Sequence, residues 1–255
     1  MTLGLPLSTL YAFLLVLARV SGLAAFLPVP GFRAAPPMVR AFLAVAITVA
    51  LFPVWPAIPN AAHSLARLVL WAFLEAGFGL TAGLSVAFLT EGFQVAAQMI
   101  GLQAGYGYSL TVDPTSQADA GILQVLMSLM SGLLFFALGL DRELIRALAF
   151  SFERFPAGAW HATAASLDGV LRLGSGMLST GLRIALPVVT VLLLIDVALA
   201  LLGRMQQQLQ LLSLAFPIKM LATLAILVAL APLLPRIFAG AADRVFAGLW
   251  RGLQP

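Results

Sequence analysis

Six charged side chains lie within or beside long apolar stretches of this sequence, where ionisable groups are costly and usually serve a function. They are Arg19, Glu75, Glu91, Asp196, Arg204 and Lys219. At the centre of a lipid-facing helix each would cost about 2.5–3.5 kcal/mol. Their number predicts that these helix faces meet partner subunits or water rather than lipid.

Lys219 is the only lysine of the sequence, and it follows Pro217, which frees a backbone carbonyl nearby. We expect Lys219 to pair either with Asp196 or with an acid on a neighbouring subunit. The alternative for Lys219 and Arg204 is that their long side chains reach back to the membrane surface.

The residue types around these charges argue against catalysis and against a metal site. The sequence has no cysteine and lacks the G-x-S-x-G, H-E-x-x-H and Walker patterns. The intramembrane carboxylates lack the serine or histidine partners of a membrane protease, and His63 and His161 each stand alone. We therefore predict neither an enzyme nor a cofactor or metal site. The small net charge of +4 is spread along the chain and gives no nucleic-acid footprint.

Residues 105–121, GYGYSLTVDPTSQADAG, combine glycine, hydroxyl residues and an Asp-Pro pair. Uncharged stretches of 21 residues, Gly92–Val112 and Ala120–Leu140, reach into this segment from both sides. A helix of about 20 residues crosses a bilayer core, and irregular backbone at that depth is tolerated only inside protein or along a watery path. The segment is therefore either a surface connector or an element placed in a passage.

Two stripes of residues recur at helical spacing before this segment. The polar stripe, which should face a pore or a neighbouring helix, consists of Glu91, Gln94, Gln98 and Gly105. The small-residue stripe, which lets helix backbones approach closely, consists of Ala72, Ala76, Gly79 and Gly83.

Composition places the chain in a membrane. Hydrophobic residues make up 62% of it and charged residues only 9%, whereas a soluble domain has about 25% charged residues. The N-terminus lacks the features of a cleaved signal peptide, so we expect the first apolar stretch to be retained as part of the fold. The bacterial inner membrane is the natural compartment. Arg236, Arg244 and Arg251 could touch anionic lipid heads there, or could simply be solvated near the chain end.

The pattern predicts an all-α membrane protein of about six to eight helices, several of them kinked or broken. The expected helices cover about 7–27, 38–52, 65–104, 122–140, 141–155, a segment ending near 202, and 211–232. The fifth is amphipathic, and 156–168 is a connector. Pro187 and Pro217 are the expected kinks, because proline removes a backbone donor.

The glycine-rich segment resembles a family signature. Gly105-x-Gly107-Tyr108-Ser109 followed by Val112-Asp113-Pro114-Thr115-Ser116 is similar to the signature of the FliR family, the R subunit of the flagellar type III export gate. The resemblance extends to Leu17–Gly22, Phe26–Pro28, Arg33 to Arg40, Leu201–Arg204, Gln208-Leu209 and Phe216-Pro217-Ile218-Lys219.

The resemblance implies a non-enzymatic, channel-forming subunit of the inner-membrane gate that exports unfolded substrates at the flagellar basal body. Its partners would be the P and Q subunits, FlhB and FlhA. One export-gate domain would span 1–255, with a P-like part at about 1–175 and a Q-like helical hairpin at about 176–255. The loop that plugs the resting channel in this family would correspond here to Gly105, Tyr106, Gly107, Tyr108, Ser109, Asp113, Pro114, Thr115 and Ser116. The six charges would act at subunit contacts or at the gate.

Departures from the family pattern keep a second system open. Gln117 stands where glycine is common, and residues 205–210 replace a segment that more often reads Ala-Pro-Gln-Leu-Asn. Asp196 and Ser213-Leu214 lean toward the related T subunit of virulence type III secretion, whereas Val-Asp-Pro-Thr-Ser favours the flagellar system. A different class of protein, a small secondary transporter with Glu91 and Asp196 as proton-coupled sites, is the further alternative.

Overall fold

The computed structural model describes residues 6–28, 36–56, 64–106, 121–161, 163–205 and 211–252, and these residues are almost wholly helical. The first four α-helices are α1 (Leu7–Ala24), α2 (Pro37–Ala50), α3 (Leu65–Ala104) and α4 (Ile122–Ala137). The other four are α5 (Leu140–Arg154), α6 (Ala164–Met205), α7 (Leu211–Leu230) and α8 (Leu234–Gly252). A 3₁₀ turn, Phe52–Val54, follows α2. The prediction of an all-α fold is confirmed.

The helical chain bends sharply at two breaks between helices. α4 and α5 meet at 62°, and Gly139 between them has φ +69, a left-handed conformation that glycine adopts without strain. α7 and α8 meet at 65° around Pro232. Pro187 lies inside α6 and Pro217 inside α7.

Several helices have the length and composition of membrane spans. Leu7–Ala24, Leu65–Ala104 and Ser166–Met205 qualify within the described residues, and the number rises to five if each bent pair counts as one span. This pattern is that of a multi-pass membrane protein, in agreement with the composition.

The helices fall into two compact units that interleave along the chain. Unit 1 comprises Met1–Phe88, Phe135–Gly174 and Ala242–Pro255, and unit 2 comprises Leu89–Leu134 and Ser175–Ala241. The correspondence of 1–175 and 176–255 to P-like and Q-like parts stays a prediction.

In unit 1, α1 packs on α3 through small residues. A methyl group added at Gly22 would lie 2.5 Å from the carbonyl oxygen of Ala76, and one added at Gly79 would overlap the carbonyl oxygen of Arg19. One added at Gly83 would lie 2.7 Å from the carbonyl oxygen of Leu23. The backbones therefore approach as closely as the small-residue stripe predicts.

In unit 2, α3, α6 and α8 share an apolar core. Phe93 and Phe238 are buried with their rings edge-on and their centroids 5.3 Å apart. Where α3 meets α6, a methyl group at Gly181 would lie 3.0 Å from the carbonyl oxygen of Gly92. This close approach fixes the part of α3 that leads into the glycine-rich segment.

Candidate functional site

Arg19 and Glu75 form an ion pair in the interior of unit 1. Their side chains are 0% and 1% exposed, and Arg19 Nε donates to Glu75 Oε2. Arg19 Nη1 donates to Ser151 Oγ at 2.8 Å, and Nη2 donates to the carbonyl oxygen of Phe155 at 3.1 Å. Glu75 Oε1 accepts the N–H of Gly158 at 2.9 Å. Each guanidinium nitrogen of Arg19 and each carboxylate oxygen of Glu75 therefore has a hydrogen-bond partner. These groups come from α1, α3, α5 and the turn after α5.

Two phenyl rings complete the environment of the Arg19 guanidinium. Its central carbon lies 4.7 Å from the Phe78 ring centroid and 4.3 Å from that of Phe152. Such contacts are favourable when the cation is desolvated. The finding differs from the expectation that these charges face partner subunits or water, because Arg19 and Glu75 find their partners within the chain.

A second ion pair, in unit 2, joins α6 to α7. Lys219 Nζ lies 2.9 Å from Asp196 Oδ1 and 3.0 Å from Oδ2. Gln103 Nε2, from the last turn of α3, donates to Asp196 Oδ2 at 2.9 Å. Lys219 is 14% exposed and Asp196 39% exposed. The expected pairing of Lys219 with Asp196 is confirmed, and the open side of the pair remains accessible.

The base of the glycine-rich segment packs on α7 beside this ion pair. The Tyr106 hydroxyl donates to the carbonyl oxygen of Met220 at 3.1 Å. Gly105 has φ +84, and a methyl group there would lie 2.6 Å from the Phe216 ring. Gly105 therefore supplies both a left-handed turn and the room that the phenyl ring occupies.

The remaining residues of the expected plug lie outside the described residues. They are Gly107, Tyr108, Ser109, Asp113, Pro114, Thr115 and Ser116. Their assignment stays a prediction, anchored at its start by the observed positions of Gly105 and Tyr106.

The other predicted residues do not gather into one site. Glu91 and Gln98 are exposed on α3, Gln94 is half-buried, and Arg204 is exposed near the end of α6. Gln94 Oε1 is buried and accepts no hydrogen bond from the part of the chain that the structure describes. Within that part, no three histidine, cysteine or acidic residues cluster in a way that could hold a metal ion.

The prediction from sequence missed the polar groups that complete both ion pairs. Ser151, which accepts a hydrogen bond from Arg19, lies 132 residues further along the chain. Gly158, which donates to Glu75, lies 83 residues further along. No local pattern signals such distant partners. Gln103 could have been identified from the sequence, because it is a polar residue within the uncharged stretch 92–112.

Comparison with known proteins matches nearly the whole chain to one family. The model of the bacterial export proteins, family 1, matches residues 10–245. The flagellar biosynthetic protein FliR of Escherichia coli strain K12 is 31% identical over 89% of this chain and 87% of its own length. FliR of Pectobacterium carotovorum subsp. carotovorum is 30% identical over 85% and 83% of the two chains, and FliR of Bacillus subtilis strain 168 is 25% identical over 85% of each. The chain belongs to family 1 of the bacterial export proteins.

Proposed function

We propose that this chain is a structural, channel-forming subunit of the flagellar type III protein export gate in the bacterial inner membrane. The observation that carries the proposal is the match of residues 10–245 to the export family. The relatives that align over most of their length with this chain are named flagellar biosynthetic proteins. The chain acts without a catalytic step of its own. Its task is to build the passage through which unfolded substrates leave the cell for flagellum assembly.

The partners in this proposal are P, Q, FlhB and FlhA type subunits of the gate. The Asp196–Lys219 pair, whose carboxylate is 39% exposed, supports a subunit contact on that side of unit 2, because a charged group left partly open in an apolar helix needs a polar neighbour. Glu91 and Arg204 lie on exposed helix surface that a neighbouring subunit can reach, and we assign both to subunit contacts. Large exposed apolar side chains such as Phe42, Phe73 and Leu221 supply surface for lipid or for further subunits.

The segment from Gly105 to Gly121 is the proposed plug of the resting channel. Its base supports this assignment, since Gly105 and Tyr106 hold the start of the segment against α7 beside the Asp196–Lys219 pair. A fixed base gives the segment a defined starting point.

Co-purification tests the gate assignment. A tagged copy of the full chain, expressed in a motile bacterium that lacks its own relative, should restore swarming and bring down P-type and Q-type subunits in a fixed ratio. A monodisperse monomer that transports a small solute in liposomes would instead establish the transporter. Restored secretion in a virulence system without restored swarming would assign the chain to that system.

Deleting residues 111–117 tests the plug. The shortened chain should still assemble with its partners, but the membrane should leak ions, which a conductance or dye-efflux measurement detects. The control is the same deletion in a strain without the P-type subunit, where no channel forms and the leak should vanish. Normal permeability with the complex demonstrably assembled would refute the plug assignment.

A further inference from the structure

α6 carries an exposed arginine in the middle of a long apolar stretch. Residues 173–182 and 184–195, on either side of Arg183, contain no charged side chain. The Arg183 side chain makes no hydrogen bond or ion pair with the part of the chain that the structure describes. The nearest charges on α6, Arg172 and Asp196, each have a partner within the chain. A single cation left among apolar residues is costly in lipid and marks a functional contact.

The backbone at Arg183 is open as well, because Pro187 lies four residues later in the same helix. Proline has no N–H, so it cannot donate to the carbonyl oxygen four residues before it. The carbonyl oxygen of Arg183 therefore lacks the donor that an unbroken helix would supply. One residue thus presents a cation and an open acceptor on a helix where neither is satisfied locally. In apolar surroundings such groups require a partner.

Two hydroxyl groups extend this polar feature along α6. Ser179 lies four residues before Arg183 and Thr190 seven residues after it, so the three share one helix face, here called the Arg183 stripe. Four other hydroxyl groups of the chain donate to the carbonyl oxygen four residues earlier at 2.7–2.9 Å, namely those of Thr48, Ser85, Thr180 and Thr223. The hydroxyl groups of Ser179 and Thr190 make no such bond with any described residue. Their protons are therefore available to a partner.

Exposed leucines border the Arg183 stripe. Leu182, Leu186 and Leu194 are 41%, 51% and 64% exposed. A surface that lines a water-filled passage would be polar over a greater width than one residue. A single charge and two hydroxyl groups set between leucines are instead typical of a contact between two apolar helices, in which a few polar groups bond across the interface.

The length of the Arg183 stripe favours a helix over a lipid headgroup as its partner. Ser179 and Thr190 are separated by about 17 Å along the helix, at 1.5 Å per residue. The headgroup region on each side of a bilayer is only about 5–8 Å thick. A lipid phosphate that neutralises Arg183 would therefore leave Thr190, about 10 Å away, among acyl chains. A helix that runs beside α6 reaches all three side chains.

We propose that the Arg183 stripe binds an apolar helix of a neighbouring gate subunit, and that an aspartate or glutamate on this helix pairs with Arg183. Charge complementarity selects the carboxylate, because a guanidinium donates two parallel hydrogen bonds to its two oxygens. Acceptors on the same partner helix take the protons of Ser179 and Thr190. This inference rests on the proposed function, which supplies the neighbouring subunits.

The experiment measures how much P-type and Q-type subunit accompanies each tagged full chain in a motile bacterium that lacks its own relative. Arg183→Met should lower this ratio at least about tenfold, because it leaves the partner's carboxylate buried without a cation. Arg183→Lys, which keeps the charge, should restore a large part of it. The matched control is Arg172→Met, because Arg172 is exposed on the same helix but already pairs with Asp168 at 2.8 Å, and it should leave the ratio unchanged.

A second pair of variants tests the hydroxyl groups. Thr190→Val removes a hydroxyl group that has no bond among the described residues, and it should lower the ratio about threefold. Thr180→Val is the matched control in the same helix. The Thr180 hydroxyl already donates to the carbonyl oxygen of Gly176 at 2.9 Å, so its removal should leave the ratio unchanged.

Genetic selection identifies the carboxylate. Arg183→Glu should abolish swarming, and variants that regain it should carry lysine or arginine in place of one aspartate or glutamate in an apolar helix of a gate subunit. A crosslinking residue at Leu186, one turn from Arg183 and 51% exposed, reports the occupant directly. An adduct with that same subunit supports the proposal, whereas adducts with phospholipid alone refute it.

Other results would also overturn the proposal. The sequence has no cysteine, so Leu186→Cys provides a unique thiol. Rapid labelling of this thiol by a charged maleimide in the assembled complex would show that the Arg183 stripe faces water. An equal subunit ratio for the unaltered chain and Arg183→Met would refute this inference alone. An unaltered chain that brings down no gate subunit would refute the proposed function and this inference with it.

Discussion

Replacing Arg19 by methionine removes a cation from the interior of unit 1 and leaves its partner behind. Glu75 would remain 1% exposed, with the N–H of Gly158 as the hydrogen bond that survives among those described. Ser151 Oγ and the carbonyl oxygen of Phe155 would lose the donors that Arg19 supplies. The variant therefore creates an uncompensated buried charge, which is more damaging than the loss of a favourable contact.

The size of the effect follows from this burial. Removal of one partner of a buried ion pair costs about 3–5 kcal/mol. A loss of 1 kcal/mol lowers the melting temperature by about 2–4 °C in chains of 150–250 residues. Arg19→Met should therefore lower the melting temperature by roughly 6–20 °C. We expect lower yields as well, since less stable chains are degraded faster.

The assay is the thermal stability of a fluorescent fusion in detergent, followed by size-exclusion chromatography. Arg146→Met is the matched control, because Arg146 and Glu143 form an ion pair in α5 with an N–O distance of 2.9 Å whose side chains are 72% and 42% exposed. Exposed pairs contribute about 0–1 kcal/mol, so this control should melt within a few degrees of the unaltered protein.

A double substitution separates the cost of burying an unpaired charge from the attraction between Arg19 and Glu75. Arg19→Met with Glu75→Leu removes both charges, so the loss of stability should be smaller than the sum of the two single changes. A melting temperature for Arg19→Met no lower than that of Arg146→Met would refute the reasoning. Strictly additive single and double variants would likewise show that the two residues are not coupled.

Two further predictions concern helix packing and the partly exposed ion pair of Asp196 and Lys219. Gly79→Ala should cost about 1–3 kcal/mol, because the added methyl group forces α1 and α3 apart. Gly101→Ala, at an unobstructed position of α3, should leave the melting temperature unchanged or slightly higher, and equal behaviour of both variants would contradict the close packing. Lys219→Met should cost about 1–3 kcal/mol, between the values for exposed and for buried pairs, because it leaves the partly buried carboxylate of Asp196 in an apolar helix with Gln103 as its described donor. It should also lower the amount of P-type subunit that co-purifies. Unchanged co-purification and motility in Lys219→Met would show that the lysine does not serve assembly.

The fold could be predicted from sequence where apolar runs are long and their ends are marked. α3 begins at Leu65 and ends at Ala104, as expected from an apolar run that stops at Gly105. α8, Leu234–Gly252, was not predicted. Pro232, Pro235 and several charges interrupt the apolar run in this region. The available signal was the recurrence of apolar residues at helical spacing, and the structure buries all four of them: Leu234, Phe238, Ala241 and Val245.

The connector expected at 156–168 is shorter in the structure. α6 begins at Ala164, ahead of Asp168. Asp168 lies within the first turns of the helix and pairs with Arg172 one turn later. Opposite charges four residues apart stabilise a helix and do not interrupt it.

Charges in apolar helices identify residues that need partners, but their sequence positions do not say whether the partner lies inside or outside the chain. Arg19 and Glu75 are 56 residues apart and meet because α1 and α3 approach through glycine. Lys219 and Asp196 meet across the α6–α7 pair with one side open. The two pairs differ in the exposure of their side chains. The Arg19–Glu75 pair is enclosed and hydrogen-bonded, so it stabilises its own unit. The Asp196 carboxylate is 39% exposed and can still accept a hydrogen bond from a second protein. Assembly should therefore depend on Asp196 and Lys219, and folding on Arg19 and Glu75.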